Sequence, residues 1–141
     1  MGTQPEAPWT YFFTPDYSRM QRASVLRVLG RAEEAIPLLE AGIGKLTQLQ
    51  RRERGQYLAR LGSAYFQAGD RGTALQHAEE AAAIARDTGS GRTGEELRRL
   101  RASAEETGAA TEVRRLDELL SSMNGGVSLK GPSGGGEAGG Q

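Results

Sequence analysis

The chain reads as an all-α repeat array: three antiparallel helix pairs stacked into a short α-solenoid. Three observations predict this. Gly30, Gly69 and Gly108 recur at one constant interval, and each separates two amphipathic segments; a fixed period of this size marks a helical repeat. Apolar residues between those glycines recur at spacings of three and four, as one helix face requires. No segment alternates with the period of two that a half-buried strand would show, so no sheet is expected. A helix pair of this size cannot bury its apolar stripe alone and must stack on the next.

Residues 1–8 are polar with two prolines and read as loose. Trp9-Thr10-Tyr11-Phe12-Phe13 follows; with Tyr17, five of the eight aromatic residues fall within nine positions. Thr14-Pro15-Asp16 predicts a helix start, with an N-cap hydroxyl, Pro at the first helical position and an acid in the first turn. The first helix carries Met20, Ala23, Leu26 and Leu29 on one stripe and stops at Gly30, as a left-handed C-cap would. The second begins near Ala32 and carries Ala35, Ile36, Leu39, Ile43 and Leu46. Pro37 inside it removes one backbone hydrogen bond and predicts a slight bend. Gln50-Arg51-Arg52-Glu53-Arg54 reads as the separator before the next pair.

The third helix carries Leu58, Leu61, Ala64, Tyr65 and Ala68 and stops at Gly69. The fourth carries Ala74, Leu75, Ala78, Ala81, Ala82 and Ala85 and stops near Gly89; such small residues let two helices approach closely. Thr93-Gly94-Glu95-Glu96 fits a capping box that opens the fifth helix at Thr93. That helix carries Leu97, Leu100 and Ala104 and ends by Gly108. The sixth carries Val113, Leu116, Leu120 and Met123. From Asn124 the composition shifts, with eight glycines among the last 18 residues. A segment that poor in apolar surface cannot offset its ordering entropy, so 124–141 is expected to be a disordered tail. The expected domain is thus 14–123, with the aromatic segment 1–13 either capping or loose.

Composition narrows the function. The 141 residues suffice for one domain, and 18 basic residues balance 18 acidic ones. That balance argues against a broad electrostatic footprint for nucleic acid. There is no cysteine, hence no disulfide or thiolate chemistry. The apolar runs fall far short of the roughly 20 residues that span a bilayer, and no secretory signal is visible. A cytoplasmic protein is the simplest reading.

Gln56 to Asp87 resembles a tetratricopeptide repeat: Leu61-Gly62-x-x-Tyr65, Gly69, Ala74, Ala78 and Ala81 fall at that family's spacings. Leu58 stands where the family has Trp. Weaker units cover about 16–49 and 94–127 on either side of the central unit, 55–88. The family's unit is about 34 residues long, so the longer interval here implies longer second helices or linkers. The resemblance implies a right-handed solenoid whose first helices line a concave groove. A narrower resemblance rests on Pro8-Trp9-x-Tyr11, Thr14-Pro15-Asp16-Tyr17 and Gly30-Arg31-Ala32-Glu33-Glu34-Ala35. It is to the C-terminal repeat region of actinobacterial helix-turn-helix transcriptional regulators. Residues 1–13 cannot hold the DNA-binding domain of such proteins, so only a sensing or protein-contact role carries over.

By that mapping the groove positions are Tyr17, Met20, Ser24, Arg27 and Val28, then Gln56, Ala59, Ser63, Phe66 and Gln67, then Glu95, Arg98 and Ala102. The mixture suits an extended peptide or a partner helix, with Phe66 and Arg98 as its expected anchors. The competing reading is an ordinary solvated face. The Lys/Asn set with which some family members clamp a peptide carboxylate is missing. The aromatic stretch Trp9 to Phe13 is expected to cover the open end of the first pair; the alternative is an exposed protein contact.

Other motifs carry less. Gly89-Ser90-Gly91-Arg92-Thr93-Gly94 matches a dinucleotide fingerprint in letters only. It follows a helix rather than a strand, and reads as a loop; a weak anion site near Arg92 is the alternative. His77 is the only histidine and, without cysteine, cannot build a typical zinc site. The doublets Glu33-Glu34, Glu79-Glu80, Glu95-Glu96 and Glu105-Glu106 do not share a helix face and make poor acid/base pairs. Arg51-Arg52-x-Arg54, Arg98-Arg99-x-Arg101 and Arg114-Arg115 are each diluted by nearby acids. The sequence therefore predicts no catalytic residue, cofactor or metal. It predicts a non-enzymatic interaction or ligand-sensing module with a protein or peptide partner in the groove, and neither nucleic acid nor membrane. The alternative is a self-associating structural scaffold, a homo-oligomer without a separate ligand.

Overall fold

A computed structural model describes the backbone of residues 15–128 and the side chains of residues 19–124. The described chain is all-helical and contains no strand. Six helices run in order: α1 (Pro15–Val28), α2 (Ala32–Gly44), α3 (Arg51–Gln67), α4 (Arg71–Thr88), α5 (Gly91–Glu106) and α6 (Ala110–Ser128).

The three periodic glycines do the same thing three times. Gly30, Gly69 and Gly108 all have positive φ, at 78°, 96° and 74°. After each, the next amide reaches back in the Schellman pattern: Arg31 N–H to Leu26 O, Asp70 N–H to Tyr65 O, and Ala109 N–H to Ala104 O. Each glycine N–H closes the inner bond, to Arg27, Phe66 and Glu105 respectively. This closure satisfies carbonyls that a helix end otherwise leaves bare, and it favours a residue without Cβ. Gly89, also left-handed, ends α4 differently, with a single bond from its N–H to Ala85 O at 2.8 Å. It joins two pairs, whereas the periodic glycines sit inside pairs.

Three boundaries differ from the sequence expectation. The Arg51–Arg54 stretch is the first turn of α3, not a separator; the turn ahead of it is held by Gln50 Oε1, which accepts from the Thr47 N–H at 3.0 Å. The cap of α5 is Ser90, not Thr93. Its Oγ accepts from the Thr93 N–H at 3.3 Å, and Thr93 is buried inside the first turn. The Gly89–Gly94 string is therefore a helix stop and a helix start with no intervening loop. Lastly, α6 continues past Asn124 to Ser128. The expected cap at Thr14, the aromatic segment before it and the rest of the glycine-rich tail, 129–141, lie outside the described residues.

Two apolar clusters share α3. Met20, Ala23, Ala32, Ala35 and Leu39 of the first pair close on Leu61 and Ala64 of α3. On its other side α3 offers Leu58, Ala59 and Phe66 to a larger cluster that includes Ala78, Ala82, Leu97, Leu100 and Leu116. α3 packs most extensively on α4; α5 then lies against α3, and α6 against α4. The first pair is joined mainly through α2 on α3. That joint carries a directed bond, from Tyr65 Oη to Glu40 Oε2 at 2.7 Å.

The α3–α4 contact depends on Gly62. A Cβ at that position would meet the carbonyl oxygen of Ala74 at 3.1 Å, a backbone atom that cannot swing aside. Gly72, exposed in the first turn of α4, has nothing within 4 Å of the same construction. Gly62→Ala should thus destabilise by about 1–3 kcal/mol through overpacking. Gly72→Ala should stabilise by about 0.5–1 kcal/mol through reduced unfolded-state entropy. Urea midpoints of the two variants check the opposite signs.

The hydrogen bond to Glu40 raises the Tyr65 hydroxyl above its ordinary value of 10.0, with burial and the Glu40 charge adding to the rise. A folded-state value above the unfolded one means the contribution is complete below about pH 10 and fades as pH climbs through the folded value. The thermal midpoint should therefore fall more steeply above about pH 10 in the native chain than in Tyr65→Phe, which has no proton to lose.

Candidate functional site

α3 and α5 lie side by side, and the C-terminal end of α1 comes up against them: Gln67 Nε2 of α3 donates to the Arg27 carbonyl at 3.5 Å. At this junction three guanidinium groups gather around one carboxylate. Arg60 Nε and Arg99 Nη1 both donate to Glu96 Oε2, each at 3.3 Å. Glu96 is buried, with only 10% of its side chain exposed, and Arg60 is at 24%. Arg27 completes the group from α1. Burial pushes its guanidinium below the ordinary arginine value, the Glu96 charge opposes that shift, and Arg60 and Arg99 reinforce it.

The cluster is electrostatically incomplete. Glu96 faces three permanent cations, and Arg99 also lies 4.0 Å from Glu95, so two carboxylates meet three guanidinium groups and one positive charge is left over. Arg27 Nε and Glu96 Oε1 are both buried without a hydrogen-bond partner in the protein. A buried polar atom left unpaired costs roughly 1–3 kcal/mol. Beside the cluster opens a cleft of about 190 Å³, lined by Gln56, Arg60, Arg92, Glu95, Glu96 and Arg99. Guanidinium donors are fixed in a fork that matches a carboxylate or another planar anion. The arrangement can therefore hold an acidic group; it offers no nucleophile with an oriented base.

The groove positions expected from sequence divide. Arg27, Ser24 and Gln56 are half-buried and lie on the cluster's helices. Met20 and Phe66 do not line a groove: they are 5% and 8% exposed and belong to the two apolar clusters. Truncating Phe66 would cut into the core, and the Arg71 guanidinium lies over its ring, 5.5 Å from the centroid. Ala59 and Ser63 are likewise buried. Gln67, Glu95, Arg98 and Ala102 are exposed, and Val28 is 86% exposed at the end of α1. Tyr17 stands in the first turn of α1, its side chain outside the described residues.

The expectation missed Arg60, Glu96 and Arg99. The sequence period gave no signal for them: the bond from Arg60 to Glu96 has a sequence separation of 36, which recurs in two other bonds between the second and third pairs. These run from Arg115 Nε to Glu79 and from Arg86 Nη1 to Ser122, at 3.0 and 2.8 Å. Each separation falls short of the glycine interval by close to one helical turn.

One arginine in each of the remaining runs is held in ion pairs. Arg51 meets Asp87, Arg101 meets Asp117 and Glu105, and Arg115 meets Glu79 and Glu118. His77 stacks on Tyr65 at 5.4 Å between ring centroids, with Nδ1 3.5 Å from Glu80. Among the described residues no group of acidic or histidine side chains could hold a metal ion, and no helix is long and apolar enough to cross a membrane. No protein-family model, curated protein or solved structure matches the chain.

Removing the carboxylate should expose the repulsion it now offsets. Glu96→Ala is expected to destabilise by about 1–3 kcal/mol, as for a lost buried charge-assisted pair. Adding Arg99→Ala should recover part of that loss. A double-mutant cycle on urea midpoints checks the coupling; strictly additive effects would contradict it.

Proposed function

We propose that this chain is a non-enzymatic protein-binding or ligand-sensing module of the tetratricopeptide type. On this reading the three helix pairs stack as a short right-handed α-solenoid, with α1, α3 and α5 lining its inner face. The observation that carries the reading is the convergence of Arg27, Arg60 and Arg99 from those three helices on the single buried carboxylate of Glu96. A partner segment bearing Asp or Glu would supply the missing negative charge and occupy the cleft beside Gln56 and Arg92. Helix pairs linked by polar bonds of constant offset can change their mutual angle slightly, so occupancy of the inner face would be felt along the array. That is how such a module would serve as the effector part of a larger regulator.

The self-associating scaffold is a second reading with its own support. Val25, Val28, Leu29 and Leu49 are large aliphatic residues at 56%, 86%, 62% and 96% exposure.

The test is a fluorescence-polarisation titration against a panel of short labelled peptides graded in acidic content. Affinity should rise with the number of acidic residues and fall with salt. Arg60→Ala with Arg99→Ala should cost about tenfold or more, the scale of one charge-assisted hydrogen bond, without loss of helical circular dichroism. Equal affinity for acidic and neutral peptides would remove the inner-face reading. A chain that binds none of them and doubles its light-scattering mass with concentration would favour the scaffold.

A further inference from the structure

The cleft beside Glu96 holds more positive charge than one carboxylate can balance. Arg60, Arg92 and Arg99 line it, with Gln56, Glu95 and Glu96. Arg27 of α1 interacts electrostatically with Glu96 and with Arg60 and Arg99. Four guanidinium groups therefore meet two carboxylates, and two positive charges are left over. The carboxylates do not weigh equally. Glu96 has 10% of its side chain exposed, whereas Glu95 is 63% exposed, so solvent screens much of its charge. Arg92 is exposed and has no ion-pair partner among the described residues. It stands in the first turn of α5, where backbone N–H groups without a helical acceptor favour anions. Glu96 takes one nitrogen from each of Arg60 and Arg99, which leaves another edge of each fork for a second oxygen. Glu96 Oε1, the oxygen without a donor, is buried, so an incoming anion meets the guanidinium groups rather than that oxygen.

A carboxylate would bring one negative charge and two oxygens. A phosphomonoester brings about 1.5 to 2 negative charges near neutral pH and three strong acceptor oxygens. It matches both the surplus and the three guanidinium groups that line the cleft. The cleft measures about 190 Å³, below the roughly 300–1,000 Å³ of pockets that enclose a whole drug-sized ligand. It suits one charged group carried on something larger. Building on the reading of this face as a binding surface, we propose that the cleft takes a phosphomonoester, carried on a Ser or Thr side chain of a partner segment. Glu96 holds the Arg60 and Arg99 forks in place, and the phosphoryl oxygens take their free edges and Arg92.

Fluorescence polarisation of one labelled peptide carrying Ser, Glu or phosphoserine at its centre tests this on the full chain. At about pH 7.5 the phosphoserine form should bind about tenfold more tightly than the Glu form, and the Ser form most weakly. Its affinity should fall several-fold by about pH 5, as the phosphate takes up a proton with a pKa near 6. The Glu form should change little over that range, because its carboxylate stays mostly ionised; titration of the protein itself is common to both. Arg92→Ala, at an exposed position, should lower phosphoserine affinity about tenfold, the scale of one charge-assisted hydrogen bond, while helical circular dichroism is kept. Should that variant lose helicity, Arg92→Gln replaces it. Equal affinity for the phosphoserine and Glu forms overturns the proposal but leaves the acidic-partner reading standing. Binding of none of the three forms removes both. A phosphoserine preference that the Arg92 variant leaves intact overturns the proposal too, because the phosphate then sits elsewhere. Free phosphoserine that displaces the peptide at equal concentration supports the phosphomonoester and makes a small ester, not a peptide, its source.

Discussion

The closeness of α3 to its neighbours is the constraint on which the other contacts rest. α3 is buried on more than one side: Leu61 and Ala64 belong to one apolar cluster, Leu58, Ala59 and Phe66 to the other. A helix in that position cannot carry bulky residues all round. Gly62 lets the α4 backbone approach, and Gly55 makes room for Ile84 and Thr93, whose side chains would lie 3.1 Å from a Cβ there. Among the described residues, twelve of the 22 buried apolar ones are alanine. The core is accordingly one of short interhelical distance, with Leu39, Leu61, Leu97, Leu100 and Leu116 as its few large, fully buried side chains. Close packing of this kind loses contact energy steeply when a gap opens, so the leucines depend on the glycines and alanines that hold the helices together.

From that packing follows the offset that builds the charged cluster. Bonds between the second and third pairs share a sequence separation of 36, shorter than the interval from Gly69 to Gly108. The shortfall is close to one turn of helix. The long arginine side chains that donate in all three bonds span that turn. This joins Glu96 to Arg60 rather than to its own counterpart in the repeat, Tyr57. Arg99, one turn on, then donates to the same carboxylate oxygen. Without Glu96, the arginines of α1, α3 and α5 would face one another in partly desolvated space, where like charges repel most strongly.

Much of the fold was legible because its signals are local. A left-handed glycine after an apolar stripe needs only its own neighbours to be recognised, and Gly30, Gly69 and Gly108 repeat that context. The cap of α5 was misplaced because Ser90 and Thr93 both suit a cap, and the choice turned on burial of Thr93 beneath α3 near Gly55, a tertiary fact. Arg51–Arg54 hid a helix start because its four charged residues carry no apolar stripe. The groove assignment went wrong at Met20 and Phe66 for a related reason. Helical phase identifies an apolar face, but α3 has two, and phase alone cannot say which of them meets a neighbour. Arg60 and Glu96 escaped because the period in the sequence is not the offset in space.

The two surfaces left incomplete differ in kind. The junction of α1, α3 and α5 holds surplus positive charge around Glu96, and its unsatisfied atoms, Arg27 Nε and Glu96 Oε1, are polar. The end of the first pair is aliphatic, with arginines only at its margin. A small, alanine-rich core gains little from each residue it buries, since the gain scales with apolar area. Covering Val25, Leu26, Leu29 and Leu38 would add large aliphatic area that the rest of the core lacks. The aliphatic end thus bears on whether the first pair stays folded against α3, and hence on whether Arg27 is presented to Glu96. The first pair links the two surfaces, because α1 carries Val25 and Leu29 at the aliphatic end and Arg27 beside Glu96.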